Sequence, residues 1–251
     1  MSKNYFEIKR AGVNTTFQDR GRNNLYHIGI PFSGAMDDRN FKISNKLVGN
    51  EINFPVIEFA YQGPCLKYFG DNINFAITGD VKFVIKKNDK IIEGNCYQSF
   101  TLQNEDELDI ISTNKSVYGY LSINGGFKLN KIWGSYSTTV RARVGPNEGN
   151  KITNGQKLIL NNSNELVKRS LNFINSKIEF IRVLAGTNFN YFSEQSKNDF
   201  FSREFLVSKL TDRMGMRLEG VKLKNLKKTN IKSEGLVKGT IQVPADGNPI
   251  I

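Results

Sequence analysis

From residue 56 onward the chain is a succession of short β-prone runs, and that spacing constrains its fold more than any other feature. Runs at 56–60, 65–69, 73–78, 81–86, 97–102, 108–112 and 117–123, with an earlier one at 6–9, either alternate apolar and polar residues or are continuously rich in Val, Ile, Phe and Tyr. Asn88-Asp89, between VKFVIK and KIIEG, has the chemistry of a tight hairpin turn. One helix stands apart. Asp37 and Asp38 suit its N-terminus, Phe41, Leu47 and Val48 share its apolar face, and Gly49 ends it. Further on, 161–177 is polar and irregular and reads as a connector, and 178–184 resumes as a strand. Residues 196–204 read as a short amphipathic helix packing through Phe200, Phe201 and Phe205, and short strands continue to 240–243. The pattern predicts a mainly β protein with few helices, in two β-rich subdomains over 1–160 and 178–251.

A second feature bears on chemistry. Residues 11–38, AGVNTTFQDRGRNNLYHIGIPFSGAMDD, set Gln18, Asp19, Arg20, Arg22, Ser33 and Asp37 among Gly12, Gly21, Gly29, Pro31 and Gly34. Charges among glycines suit a loop held close to a ligand, where backbone must approach and charge must be placed. A polar surface turn knit by salt bridges would have the same composition. The helix that follows would aim its positive end back at the SGAMD turn, making that turn an anion or carbonyl-oxygen site.

Several chemistries are disfavoured. The single histidine, His27, lies between apolar neighbours and reads as structural, so Ser-His-Asp and Cys-His hydrolases are not expected. Cys65 and Cys96 form no Cys-x-x-Cys pair; they read as buried thiols, and no metal site is expected. GPNEGNK at 145–151 has the wrong spacing for a phosphate loop, and there is no dinucleotide fingerprint. No apolar run approaches the roughly 18 residues of a membrane span. The opening MSKNYFEIKR lacks the apolar core of a signal peptide, so a cytoplasmic protein without membrane attachment is expected. The net charge of +11 comes from scattered lysines without interleaved aromatics. It points to an anionic substrate or acidic partner and not to nucleic acid.

Carboxylate and guanidinium chemistry remains. Asp19 and Asp37 could act as general base or orient one. Arg22, Arg141, Arg213 and Arg217 could hold a carboxylate or phosphoryl group through paired donors, a structural ion pair being the alternative for each. Asn124, Gly125 and Gly126 offer N–H donors for an oxyanion, and Ser135, Ser137, Thr138 and Thr139 form a hydroxyl-rich segment before Arg141. These groups are expected to converge on one hollow that grips a small amide-like molecule.

GVNTTFQDRGR followed by GIPFSGAMD resembles the opening signature of the 5-oxoprolinase C-subunit family, also called allophanate hydrolase subunit 2 or the biotin-dependent carboxyltransferase family. YLSINGGFKLNKIWGSYSTTVRA at 120–142, TDRMGMRLEG at 211–220 and SEGLVKGTIQVPADGNPI at 233–250 match in the same order. The resemblance implies a cyclophilin-like barrel in the second subdomain. It also implies one component of a hetero-oligomeric hydrolase that opens 5-oxo-L-proline to L-glutamate at the expense of ATP. The partners implied are a B-subunit-like protein, similar to allophanate hydrolase subunit 1, and an A-subunit-like protein; between them they would hold most of the ATP. It further implies catalytic roles for Asp19, Asp37 and Arg22. Substrate-binding roles fall on Gln18, Ser33, Gly34, Asn124, Gly125, Gly126, Arg141, Arg213, Arg217 and Gln242. Two alternatives come with the same family: a carboxyltransferase component of a urea carboxylase system, using biotin carried elsewhere because Ala35-Met36 is followed by Asp37, or a non-catalytic KipA-like regulatory protein. The chain departs from the family pattern at Asn23-Asn24, at Met216 and at its end, where relatives continue through a further strand.

Overall fold

The computed structural model describes residues 4–88, 90–163, 165–172, 180–227, 231 and 234–251. They fall into two compact units, 1–175 and 176–251.

The first unit is two antiparallel sheets. One contains β1 (Tyr5–Arg10), β4 (Cys65–Phe69), β6 (Val81–Lys87), β7 (Lys90–Gly94), β9 (Glu107–Thr113) and β11 (Lys157–Ile159), in the order β11-β1-β4-β9-β6-β7. The other contains β2 (Thr16–Gln18), β3 (Val56–Ala60), β5 (Ile73–Thr78), β8 (Ser99–Leu102) and β10 (Tyr118–Ile123), in the order β2-β3-β10-β5-β8. Phe6 and Ile8, Leu66 and Tyr68, and Phe83 and Ile85 point inward from the first sheet by the two-residue period of a strand. They meet Phe17, Phe59, Phe75 and Leu121 of the second in one core. Each fully buried Phe or Leu there contributes on the order of 2–3 kcal/mol.

Why β3 and β5 are buried along their whole length is answered by the helix α1 (Asp38–Leu47). Its Phe41 packs on Val56 and Tyr120, and its Leu47 with Val48 packs on Ala76, so the second sheet is covered on both faces. Asp37 caps the helix, accepting from the Asn40 N–H at 2.9 Å, and Gly49 follows its end at φ 81°. The hairpin β6–β7 turns through 88–89, with Asn88 at φ 48° as a two-residue loop of the primed type requires; Asp89 lies outside the described residues.

Several expectations are revised. The polar run 11–38 contains β2, held by pairing to β3. The described part of the expected connector, 165–172, lies along β8: the Ser99 N–H donates to the Arg169 carbonyl at 2.8 Å, and Leu171 N–H to the Tyr97 carbonyl at 2.8 Å. In the second unit, of the strand expected at 178–184, residues 178 and 179 lie outside the described set. Residues 180–184 form no strand, and Leu184 is 98% exposed. Helix α2 (Glu194–Ser202) is capped by Ser193, and β12 (Leu206–Val207) pairs with β13 (Leu218–Glu219). Phe200 packs against Phe205, whereas Phe201 is exposed and not on the packing side.

Candidate functional site

The glycine-rich run closes into a clasp. The Arg22 N–H donates to the Phe32 carbonyl at 2.7 Å and the Ala35 N–H to the Asp19 carbonyl at 2.9 Å, so 19–22 and 32–35 lie backbone to backbone. Gly21 is required: at φ 90° a Cβ there would meet the Phe32 oxygen at 2.6 Å. A third segment, 132–139, locks onto this pair. The Thr138 N–H donates to the Phe17 carbonyl at 2.9 Å, and the Ser33 and Thr139 hydroxyls share a hydrogen bond.

Asp19, 7% exposed, is the hub of the clasp. Its Oδ1 accepts from Gly21 N–H at 2.8 Å and from the Ser135 and Ser137 hydroxyls at 2.6 Å each, while Oδ2 accepts from Tyr136 N–H at 2.7 Å. A carboxylate has about four lone-pair sites, so these donors leave Asp19 an organiser of two segments, 19–22 and 132–139, with little capacity to take a substrate proton.

Arg22 is buried beside it. Its Nη2 donates to the Ser137 carbonyl at 2.5 Å and its Nε to the Ile132 carbonyl at 3.2 Å. Burial pulls its pKa down and the Asp19 charge opposes that pull. Among the described residues its Nη1 has no hydrogen-bond partner, nor has Gln18 Oε1, although Gln18 Nε2 donates to the Thr138 carbonyl at 3.0 Å. Both side chains brace the 132–139 loop from behind.

Asp37 is committed to the helix. Both of its oxygens accept from Asn40, through the backbone N–H and the side-chain amide. The neighbouring amides are engaged too: Met36 N–H donates to Glu58 Oε2 at 2.8 Å and Asp37 N–H to the Tyr120 hydroxyl at 2.7 Å. The Tyr120 hydroxyl donates in turn to Glu58 Oε2 at 2.9 Å, and burial pushes its pKa well up. The expected anion site at the start of α1 is therefore filled by the protein's own groups. Sequence reasoning misses Glu58, whose one signal is a carboxylate inside the apolar run VIEFA.

Asn124, Gly125 and Gly126 sit elsewhere. Asn124 Nδ2 donates to the Val48 carbonyl at 2.7 Å, Gly125 N–H to Asn50 Oδ1 at 2.9 Å and Gly126 N–H to the Ile123 carbonyl at 2.9 Å. These partners lie at the far end of α1, roughly 15 Å of helix from the SGAMD turn. Their donors hold a turn and are not presented to an oxyanion, so the expected convergence of Asn124 with Asp19 is not found. Arg141 is exposed on a 3-10 turn (Val140–Ala142) beside the clasp. His27 is exposed on another (Tyr26–Ile28).

Arg213, Arg217 and Gln242 belong to the second unit. Arg213 is half-buried in the Asp212–Gly215 turn, and burial pushes its pKa down to about 10. Arg217 and Gln242 are exposed and both bridge to Ile250. Among the described residues one set of metal-ligand types, Cys65, Glu107 and Asp109, lies within 4.8 Å. Its carboxylates already meet Lys86, at 2.6 and 3.3 Å, and Arg10, at 2.8 Å; burial pushes the Cys65 thiol up to about 12. No described helix is long and apolar enough to cross a membrane.

Residues 28–251 match the family described as carboxyltransferase domain, subdomain A and B. The chain is 30% identical over 237 residues to the C subunit of 5-oxoprolinase from Haemophilus influenzae, covering 94% of this chain and 75% of that protein. It is 32% identical over 238 residues to urea amidolyase of Lachancea kluyveri, covering 87% of this chain and 13% of that protein. Among solved structures it is similar to TTHA0988, with a TM-score of 0.84 and 26% identity over 99% of this chain and 48% of that one.

Proposed function

The chain belongs to the carboxyltransferase subdomain A and B family that includes the C subunit of 5-oxoprolinase, and from that membership we propose that it fills the C position in an ATP-dependent 5-oxoprolinase. In this reading it works in the cytoplasm with B-subunit-like and A-subunit-like partners to open 5-oxo-L-proline to L-glutamate, and its second unit is part of a cyclophilin-like barrel. The observation that carries the reading is the near-full-length likeness to a 5-oxoprolinase C subunit. The clasp supports it by joining the QDRGR and GSYST segments through the Asp19 carboxylate and the SGAMD segment through the Asp19 backbone carbonyl.

A lactam resists water because amide resonance weakens its carbonyl as an electrophile. This chain's part in overcoming that is to bind and orient. The half-buried Ser33 and Thr139 hydroxyls, which bond to each other in the free chain, suit the lactam carbonyl and N–H once that bond opens, and Arg141 beside them suits the carboxylate. Asp19, Arg22 and Gln18 act behind them as positioning residues. The α1 N-terminus is capped by Asp37 and its flanking amides are engaged by Glu58 and Tyr120, which supports a nucleotide held by the partner polypeptides.

Reconstitution tests this. The chain mixed with its B-like and A-like partners is expected to hydrolyse ATP only when 5-oxoproline is present and to release glutamate. A complete, folded mixture that releases none overturns the proposal. The likeness to urea amidolyase favours a second reading, a carboxyltransferase component acting on urea. ATP hydrolysis stimulated by urea and bicarbonate, with a biotin-bearing partner and no response to 5-oxoproline, would select it.

A further inference from the structure

Three surface excursions rise from the clasp side by side. Residues 23–31 loop out between Arg22 and Phe32, whose backbones are joined at 2.7 Å. Trp133 and Gly134 form a two-residue turn closed by Ile132 N–H to the Ser135 carbonyl at 2.9 Å, and 140–143 turn out between Thr139 and Val144, closed at 2.7 Å. Two bonds tie the bases together, Arg22 Nε to the Ile132 carbonyl and Ser33 to Thr139.

The excursions carry exposed apolar side chains together with basic ones. Tyr26 is 64% exposed, Ile28 55% and Trp133 54%, and Val140 is exposed beside them. Arg20, Lys131, Arg141 and Arg143 are exposed around this apolar group. No Asp or Glu occurs in 20–36 or in 125–147. Trp133 also stands at φ 51°, followed by Gly134 at φ 78°, a primed turn in which Asn-Gly is the favoured pair. A bulky aromatic in the left-handed region is an outlier, and such outliers cluster where a function retains them. Burial cannot be the reason, because the indole packs into no core of the first unit.

We propose that this aromatic and arginine-rimmed patch docks an acidic face of the B-subunit-like partner, with Trp133 as the central anchor. The identity of the occupant rests on the proposed function; the patch itself does not. Trp, Tyr and Arg are the side chains that carry most binding energy at protein interfaces, and a rim of one charge sign selects an oppositely charged face and speeds its approach. Stacking single-stranded nucleic acid needs aromatics along a groove, whereas here the large apolar groups sit on separate turns.

Calorimetric titration of the full chain with the B-like protein separates the outcomes. Trp133→Asn is expected to keep or raise the melting temperature, because Asn relieves the turn, while weakening binding roughly ten-fold or more. Lys131→Glu with Arg143→Glu is expected to weaken binding comparably and to flatten its salt dependence. The inference is overturned if both variants bind within about two-fold of wild type, if Trp133→Asn melts lower than wild type, or if wild type ignores the B-like protein and binds single-stranded DNA instead. A wild-type complex that forms through the patch yet hydrolyses no ATP with 5-oxoproline refutes the 5-oxoprolinase reading and leaves the docking surface standing.

Discussion

Replacing Asp19 by Ala should loosen the clasp as a unit. The substitution removes the acceptor of two part-buried N–H groups, Gly21 and Tyr136, and of two buried hydroxyls, Ser135 and Ser137. An orphaned buried N–H costs about 1–3 kcal/mol, while a hydroxyl that can rotate to another acceptor loses about 0.5–1.5 kcal/mol. The buried Arg22 also loses the nearby negative charge that opposes its desolvation. The expected loss is about 3–5 kcal/mol of local stability; Asp19→Asn, which keeps one oxygen, should lose about half as much. A global denaturation midpoint averages over two compact units and does not say where the loss falls. Amide exchange is direct: a loss of about 3 kcal/mol speeds exchange at Gly21 and Tyr136 by a factor of roughly 150, while β5 and β6 should hardly change. Unchanged protection at both amides in Asp19→Ala would show that the carboxylate does not hold 132–139 to 19–22.

Other consequences are as open to measurement. Gly21→Ala should destabilise the first unit by about 2–4 kcal/mol, since φ 90° is strained for Ala and its Cβ would collide with the Phe32 carbonyl; a variant as stable as wild type would show that the close approach does not exist. Tyr120→Phe and Glu58→Gln should each cost about 1–3 kcal/mol and the double variant less than their sum, because both break one chain of hydrogen bonds; strict additivity in a double-mutant cycle would rule that chain out. Burial, foremost, pushes the Cys65 thiol up to about 12 and Cys96 up to about 11, from the ordinary value of 9.0. Unfolded thiols ionise near pH 9 while the folded ones keep their protons. Their contribution to stability is therefore complete below that pH and is lost as pH climbs toward 11–12. Melting temperatures should hold to about pH 8.5 and fall by pH 10.5, less steeply in a Cys65→Ala, Cys96→Ala variant; an identical fall in that variant would exclude the thiols.

What could be read without coordinates was local. The runs 56–60, 65–69 and 73–78 become β3, β4 and β5 with those same bounds, because a strand's pattern is written in its own residues. Helix α1 begins and ends where Asp37 and Gly49 mark it, for the same reason. Strands of three residues, β2 and β11, carry too little pattern of their own and exist through pairing to β3 and β1. The exposed, unpaired stretch at 180–184 shows the converse: a strand-like sequence is a strand only where another strand meets it.

The site divides along the same line. The sequence by itself determined that carboxylates, guanidinia and hydroxyls would be set among glycines at 18–37 and 132–141, and it carried the resemblance that names the family. Only the tertiary structure decided which of those groups were already taken. Ser137 lies 118 residues from Asp19 and donates its hydroxyl proton to it; Asp37 turns both oxygens onto Asn40; Gly125 commits its N–H to Asn50. A donor or acceptor type is a property of one residue, but whether it is free for a ligand depends on what the fold brings within about 3 Å of it.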